Sequence, residues 1–166
     1  MPPLRHEQLS DFLKRGCRPR SDWRLGVEFE QFVVDSNGLP VPYSGAGGVR
    51  ELLQLLLQRT GWKAIEESGN LFGLSAPDGR SITIEPGAQI EFGSTPCSSL
   101  KQVASEISGY VDLLDELETQ RGVHFLALGA QPMVGPDQIE RIPKSRYDIL
   151  EPYLQSTGDL GTWMMK

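Results

Sequence analysis

The chain has 166 residues and a formal net charge of −6, and an acidic surface excludes nucleic acid as the main partner, because binding phosphates requires basic patches. Its hydrophobic share of 39% and charged share of 23% are those of an ordinary globular chain, which excludes extensive disorder. No apolar run approaches the roughly 20 residues that span a bilayer, so we expect no membrane partner.

The first half of the chain predicts one helix, a strand, a second helix and then further strands. Leu9, Phe12 and Leu13 share a face of the first predicted helix, over residues 4–15. The segments ESGN and APDGR have the composition of turns between strands. The other predicted elements are a long strand at 23–34, a helix at 49–60, and strands at 63–67, 70–75 and 81–93.

The second half contains the clearest helix, whose start is marked by a capping box of Ser99 and Gln102 and whose end is marked by Gly122. A short apolar strand at 123–129 follows, then a proline-rich loop and a last helix in SRYDILEPYLQ, which Pro152 limits. Strands that follow one another like hairpins, with helices between them, indicate an α+β fold. We expect a mainly antiparallel sheet with flanking helices.

Glutamates line one face of two predicted strands, and apolar side chains line the other. Because residues i and i+2 of a strand share a face, Glu28 and Glu30 lie together on the first strand. The corresponding residues of the strand at 81–93, if no bulge at Pro86-Gly87 alters the register, are Thr83, Glu85, Gln89 and Glu91.

If these strands are neighbours, four carboxylates converge on one surface and repel one another unless solvent or a cation neutralises them. Mg²⁺ prefers hard oxygen ligands and usually bridges carboxylates to substrate phosphates. Two interpretations are open from the pattern: a metal site, or solvated glutamates on the exposed side of a sheet.

Three other residues carry weaker signals. Asn70 lies between two strands, where a turn residue and a ligand contact are both reasonable interpretations. Lys144 and Arg146 in IPKSRY have the chemistry to hold a carboxylate or a phosphate, the arginine through its planar fork. The alternative for this pair is the solvated start of a helix.

Several segments, taken in order from Trp23 to the C-terminus, resemble the plant and proteobacterial type of glutamate–cysteine ligase. The family belongs to a carboxylate–amine ligase group related to glutamine synthetase. The segments are LGVEFEQFVV, PVPYSGAGGV, GWKAIEESGNLFGLS, GRSITIEPGAQIEFGSTP, FLALGAQP and IPKSRYDILEPYL followed by GDLGTWMM.

The resemblance implies an ATP-dependent ligase that converts the γ-carboxylate of glutamate to an acyl phosphate, which the amine of cysteine then attacks. This reaction is the first step of glutathione synthesis. Divalent cations, Mg²⁺ or Mn²⁺, must screen the carboxylate from the triphosphate of the co-substrate ATP. The metal ligands implied by the resemblance are Glu28, Glu30, Glu85 and Glu91, and the substrate-binding residues are Asn70, Gln89, Lys144 and Arg146.

The chain departs from the family pattern in composition and in length. Phe29 stands where the family commonly has His, on the face opposite the two glutamates, and Ala88 stands where plants have Gly. Family members run well beyond this length, so we expect a truncated catalytic domain at 23–166, preceded by a helix and connector at 1–22. An incomplete glutamine-synthetase-like sheet would have little activity alone, and its exposed edges would favour self-association.

Two alternatives to this function are open: a ligase for a different acceptor amine, and a noncatalytic module that binds a cation or small ligand. The small-molecule partners expected are glutamate, cysteine and ATP. Without an apolar signal-peptide core and with only two cysteines, Cys17 and Cys97, the chain is expected in the cytoplasm.

Overall fold

The computed structural model describes residues 4–166, so residues 1–3 of the expected N-terminal segment 1–22 lie outside the described residues. The fold is α+β, with one antiparallel sheet of order β2-β3-β4-β5-β1-β6. The strands are β1 Glu28–Val34, β2 Lys63–Glu67, β3 Asn70–Ser75, β4 Ser81–Ile84, β5 Ile90–Gly93 and β6 His124–Leu126. The helices are α1 His6–Arg15, α2 Val49–Thr60, α3 Leu100–Arg121 and α4 Tyr147–Thr157. This architecture confirms the predicted antiparallel α+β fold.

The segment from α2 to β3 follows the predicted bounds. Leu52, Leu53 and Leu56 are buried on α2, which packs against β3. The two-residue turn between β2 and β3 has positive φ at Ser68 and Gly69, the conformation whose twist suits a tight hairpin.

The predicted long strand at 23–34 begins later, at Glu28. Leu25 makes only an isolated bridge to Cys97, and the N–H of Val27 donates to the Ser94 hydroxyl, 2.8 Å away. A side chain therefore replaces a backbone carbonyl at this point, and the regular ladder starts one residue later.

The predicted strand at 81–93 is in fact a hairpin of β4 and β5. The N–H of Ala88 donates to the carbonyl of Glu85 at 2.8 Å, and Ala88 has φ of 64°. Pro86 fits the first corner of this turn because its φ is fixed. The chain therefore reverses direction at Pro86-Gly87, where the prediction was one continuous strand with a possible bulge.

Two other boundaries differ from the prediction. The last helix continues through Pro152 to Thr157. Proline lacks an N–H group and so removes one helical hydrogen bond, but Leu150 and Leu154 on either side of it pack against the core. The predicted strand at 123–129 is reduced to β6, which pairs with the end of β1.

The core lies on the face of the sheet that the helices cover. Phe29 and Phe92 are paired across β1 and β5, and Tyr110 of α3 stacks on Phe92 at 4.8 Å between ring centroids. Tyr110 also meets Phe29 edge to face, at 6.3 Å. Phe29 thus lies on the apolar face, as expected, which leaves the opposite face to its glutamate neighbours.

α1 is confirmed as a helix but buries none of its residues. Its predicted apolar face is open to solvent, with Phe12 70% and Leu13 72% exposed. Between residues 4 and 166, none of the helices combines the length and the apolar character needed to cross a membrane.

Candidate metal and substrate site

A row of four residues crosses the uncovered face of the sheet. Glu30 of β1 is paired with Glu91 of β5, Glu91 with Thr83 of β4, and Thr83 with Gly73 of β3. Glu28 lies two residues from Glu30 along β1, opposite Gly93. Neighbouring strands therefore place two glutamates and a hydroxyl side by side on one surface.

Glu85 joins this group from the turn between β4 and β5. Its backbone N–H donates to the carbonyl of Gln89 at 2.9 Å, which fixes the position of the turn at the end of both strands. Its charge reaches the carboxylates of both Glu30 and Glu91 and raises the pKa of each. Glu30, Glu85 and Glu91 are called the acidic cluster below.

Burial and like charge act in the same direction on this cluster. Partial loss of hydration is the main cause that raises the pKa of Glu30 above its usual 4.5, although the side chain keeps contact with solvent, and the charge of Glu85 adds to it. Loss of hydration also raises the pKa of Glu91, followed by the charges of Glu85 and Glu28. A hydrogen bond from Thr83 to Glu91 opposes this shift. The cluster is therefore a surface that a bound cation would stabilise.

The donor set suits a hard divalent cation. Within residues 4–166, no group of three or more His, Cys, Asp or Glu side chains is arranged to hold a metal ion as it stands. Mg²⁺ commonly uses only one or two carboxylates and completes its octahedron with water and substrate phosphates. Two facing glutamates with a third at the turn fit that requirement, and the predicted ligand Glu28 lies at the margin, within electrostatic reach of Glu91.

The segment 142–146, which contains Lys144 and Arg146, runs along the end of the sheet where Glu85 lies. The N–H of Ile142 donates to the carbonyl of Pro86 at 2.9 Å, and the N–H of Ser145 donates to Glu67 at 3.0 Å. The segment between these two anchors carries Lys144 across the ends of β3 and β4. Side-chain and backbone hydrogen bonds from Ser145, with the nearby charges of Lys144 and Arg146, lower the pKa of Glu67.

Lys144 and Arg146 are held by aromatic neighbours. The Lys144 ammonium lies 5.7 Å from the centroid of the Phe72 ring. The guanidinium of Arg146 lies 4.8 Å from the centroid of the Tyr147 ring and donates to the Tyr147 hydroxyl at 2.8 Å. Tyr147 is fully buried, and the charges of Glu85, Glu91 and Arg146 all act on its hydroxyl. Tyr147 therefore lies between Arg146 and the acidic cluster.

The two predicted amide residues have local partners. Gln89 is buried, and its side-chain oxygen accepts a hydrogen bond from the N–H of Gly87 at 2.8 Å, so this oxygen supports the turn. Asn70 is the first residue of β3, opposite Glu67, at the same end of the sheet as Glu85. Both residues lie at the end of the sheet where Glu85 lies, and their contact with a substrate stays a prediction.

Sequence reasoning missed Thr83, Glu67 and Tyr147 as candidate site residues. Thr83 was visible on the acidic face, where a hydroxyl among carboxylates is a natural hydrogen-bond donor. Tyr147 follows Arg146 directly in the KSRY segment. No pattern in the sequence marked Glu67 as a site residue, because its partner is the backbone N–H of Ser145, which is distant in sequence.

Comparisons with known proteins identify the family of the chain. The model of the glutamate-cysteine ligase family 2 (GCS2) matches residues 24–166. Glutamate–cysteine ligase B of Oryza sativa subsp. japonica is 34% identical over 164 residues, which are 98% of this chain and 32% of that protein. The enzymes of Brassica juncea and Arabidopsis thaliana are 34% and 33% identical over 164 residues, each with 31% of its length covered.

The chain thus spans about a third of the length of the curated relatives it matches. The expected cytoplasmic location is wrong by this comparison, because these relatives are all named chloroplastic and point to a plastid. The resemblance seen in the sequence motifs is confirmed, since the family model matches nearly all of the chain beyond its N-terminal helix and connector. The chain belongs to glutamate–cysteine ligase family 2.

Proposed function

We propose that this chain provides the cation-binding and part of the substrate-binding surface of an ATP-dependent ligase. The reaction joins the γ-carboxylate of glutamate to the amine of cysteine. The observation that carries the proposal is the pairing of Glu30 with Glu91 across β1 and β5, with Glu85 beside both. Membership of the ligase family supports the same chemistry.

In this proposal Glu30 and Glu91, with Glu85 at the turn, would bind the divalent cation, Mg²⁺ or Mn²⁺, together with water and substrate phosphate oxygens. Glu28 would add to their negative potential. A cation bound there would neutralise charge between the glutamate carboxylate and the γ-phosphate of ATP. The carboxylate oxygen displaces ADP and forms a γ-glutamyl phosphate. The amine of cysteine then attacks the acyl carbon, releases phosphate and loses a proton.

Lys144 and Arg146 are proposed to hold an anionic group of glutamate or ATP next to the cluster. The stacking of Arg146 on Tyr147 and their hydrogen bond orient the guanidinium, which presents further N–H donors in a fixed plane. Lys144 contributes a point charge. It lies in the segment 142–145, whose ends are hydrogen-bonded to Pro86 and Glu67. Asn70 and Gln89 would then border the same substrate.

Isotope transfer tests this proposal directly. The assay uses the protein encoded by the complete open reading frame, because the chain spans about a third of the length of its curated relatives. That protein is incubated with ATP, Mg²⁺, cysteine and glutamate labelled with ¹⁸O in the γ-carboxylate. We expect release of ADP that depends on glutamate, and one labelled oxygen in the phosphate. Glu91→Gln should abolish both, whereas Glu66→Gln, an exposed glutamate on the edge strand β2, should leave them unchanged.

A panel of acceptor amines separates the remaining alternatives. Labelled phosphate formed only with an amine other than cysteine would assign a ligase of different specificity. Saturable binding of Mn²⁺ without any release of ADP by the protein encoded by the complete reading frame would overturn the ligase and assign a noncatalytic binding module.

A further inference from the structure

The carboxylate of Glu91 is oriented by its neighbour on β4. The Thr83 hydroxyl donates to Glu91 Oε1 at 3.3 Å, and it is the one side-chain hydrogen bond to this carboxylate in the described part of the chain. The other groups acting on Glu91 are carboxylates that repel it. The direction of the Glu91 side chain therefore depends on where the Thr83 hydroxyl points.

The rotamer of Thr83 is in turn linked to Gly73 on β3. A Cβ atom at Gly73 would lie 2.5 Å from the carbonyl oxygen of Ile82, 3.0 Å from Thr83 Cα and 3.1 Å from Thr83 Cγ2. The absence of a side chain at Gly73 thus leaves room for the Thr83 methyl group. Because a β-branched side chain has few χ1 choices, a methyl group seated over β3 leaves the hydroxyl directed at β5.

We propose that Gly73 and Thr83 are positioning residues for Glu91: the methyl group of Thr83 rests over Gly73, and its hydroxyl aims the carboxylate of Glu91 at the cation site. This inference rests on the proposed function of the acidic cluster. It adds two residues that bind no substrate themselves but set the affinity of the cation, as the outer partners of metal ligands commonly do.

Binding of Mn²⁺ to the 166-residue chain, followed by the loss of its free electron paramagnetic resonance signal, provides the test. Thr83→Val keeps the shape and removes the donor, and we expect its affinity to fall about tenfold. Thr83→Ser keeps the donor but loses the methyl group that rests over Gly73, so its affinity should lie between those of Thr83→Val and wild type. Thr119→Val, at an exposed threonine of α3 whose hydroxyl donates to the Asp115 carbonyl, is the matched control and should bind like wild type.

The outcomes separate this inference from the proposed function. Saturable binding by wild type that is unchanged in Thr83→Val would overturn the positioning role alone. Equal losses in Thr83→Val and Thr83→Ser would also overturn it, because the hydroxyl would then have no special part. Absence of binding in wild type would overturn the cation site itself. Thermal unfolding of each variant shows that the losses come from folded protein.

Discussion

Glu30 lies directly opposite Glu91 on neighbouring antiparallel strands, so two carboxylates share one side of the sheet. Such a pair destabilises a sheet, because like charges at this separation repel and neither group is fully hydrated. The apolar partners of the same strands, Phe29 and Phe92, stabilise the opposite face around Tyr110. The sheet therefore carries a stable core on one face and a charge that favours a cation on the other.

Replacement of Glu30 with Gln should have opposite effects on stability and on cation binding. Removing one of two facing charges should stabilise the fold by about 0.5 kcal/mol in the absence of divalent cations. The same change should weaken Mn²⁺ binding, because it removes a ligand charge. Thermal unfolding and Mn²⁺ titration of the variant measure the two effects. Stability and affinity that fall together would contradict the role of Glu30.

The stability effect of Glu30→Gln should depend on pH. The folded state raises the pKa of Glu30 above its usual 4.5, so folded protein binds this proton more tightly than unfolded protein does. The contribution of Glu30 is therefore most favourable below pH 4.5 and is lost as pH rises through the raised pKa. We expect urea unfolding to show that the variant gains stability relative to wild type as the pH rises above 4.5. A constant difference would contradict the shift.

Tyr110→Phe should stabilise the protein. The Tyr110 hydroxyl is buried and has no hydrogen-bond partner among residues 4–166, while its ring makes the packing contacts with Phe29 and Phe92. Removing a buried unpaired hydroxyl should gain about 1 kcal/mol in the free energy of unfolding. Urea unfolding measures the change, and a loss of 1 kcal/mol or more would reveal a partner for this hydroxyl.

Gly109→Ala should also stabilise the protein, through α3. Gly109 lies inside this helix, and a Cβ atom there would meet no other atom within 4 Å. Alanine is favoured over glycine by about 1 kcal/mol in a helix interior. Gly122→Ala is the matched control at the end of the same helix, where φ of 62° should make alanine destabilising. Unfolding shifts of the same sign in both variants would contradict this explanation.

The sequence predicted the strands and helices wherever local signals agreed with the tertiary contacts. β2, β3 and α2 follow their predicted bounds, because turn residues and apolar periodicity mark both ends of each. The prediction gave one strand in place of the β4–β5 hairpin, because Pro86-Gly87 was interpreted as a bulge although this dipeptide also favours a turn. The positive φ of Ala88 at the end of the turn had no signal in the sequence. The start of β1 was also misplaced, since it depends on the hydroxyl of Ser94, 67 residues away in sequence.

In the candidate site, too, local patterns predicted some positions and distant contacts determine the others. Alternation along a strand was enough to place Glu28, Glu30 and Glu91 on one face. The position of Lys144 and Arg146 at the end of the sheet depends on hydrogen bonds from their segment to Glu67 and Pro86, which no local pattern predicts. Function came from the ordered set of motifs, because a sheet lined by carboxylates is compatible with several kinds of protein.

The most direct measurement of the central claim is a Mn²⁺ titration of the 166-residue chain, with and without ATP. Wild type, Glu91→Gln and the control Glu66→Gln would be compared under identical conditions. We expect saturable binding by wild type and Glu66→Gln, tightened by ATP, and an affinity about tenfold or more weaker in Glu91→Gln, since a ligand charge is lost. Equal binding by all three proteins, or no saturable binding by wild type, would contradict the assignment of the acidic cluster as the cation site.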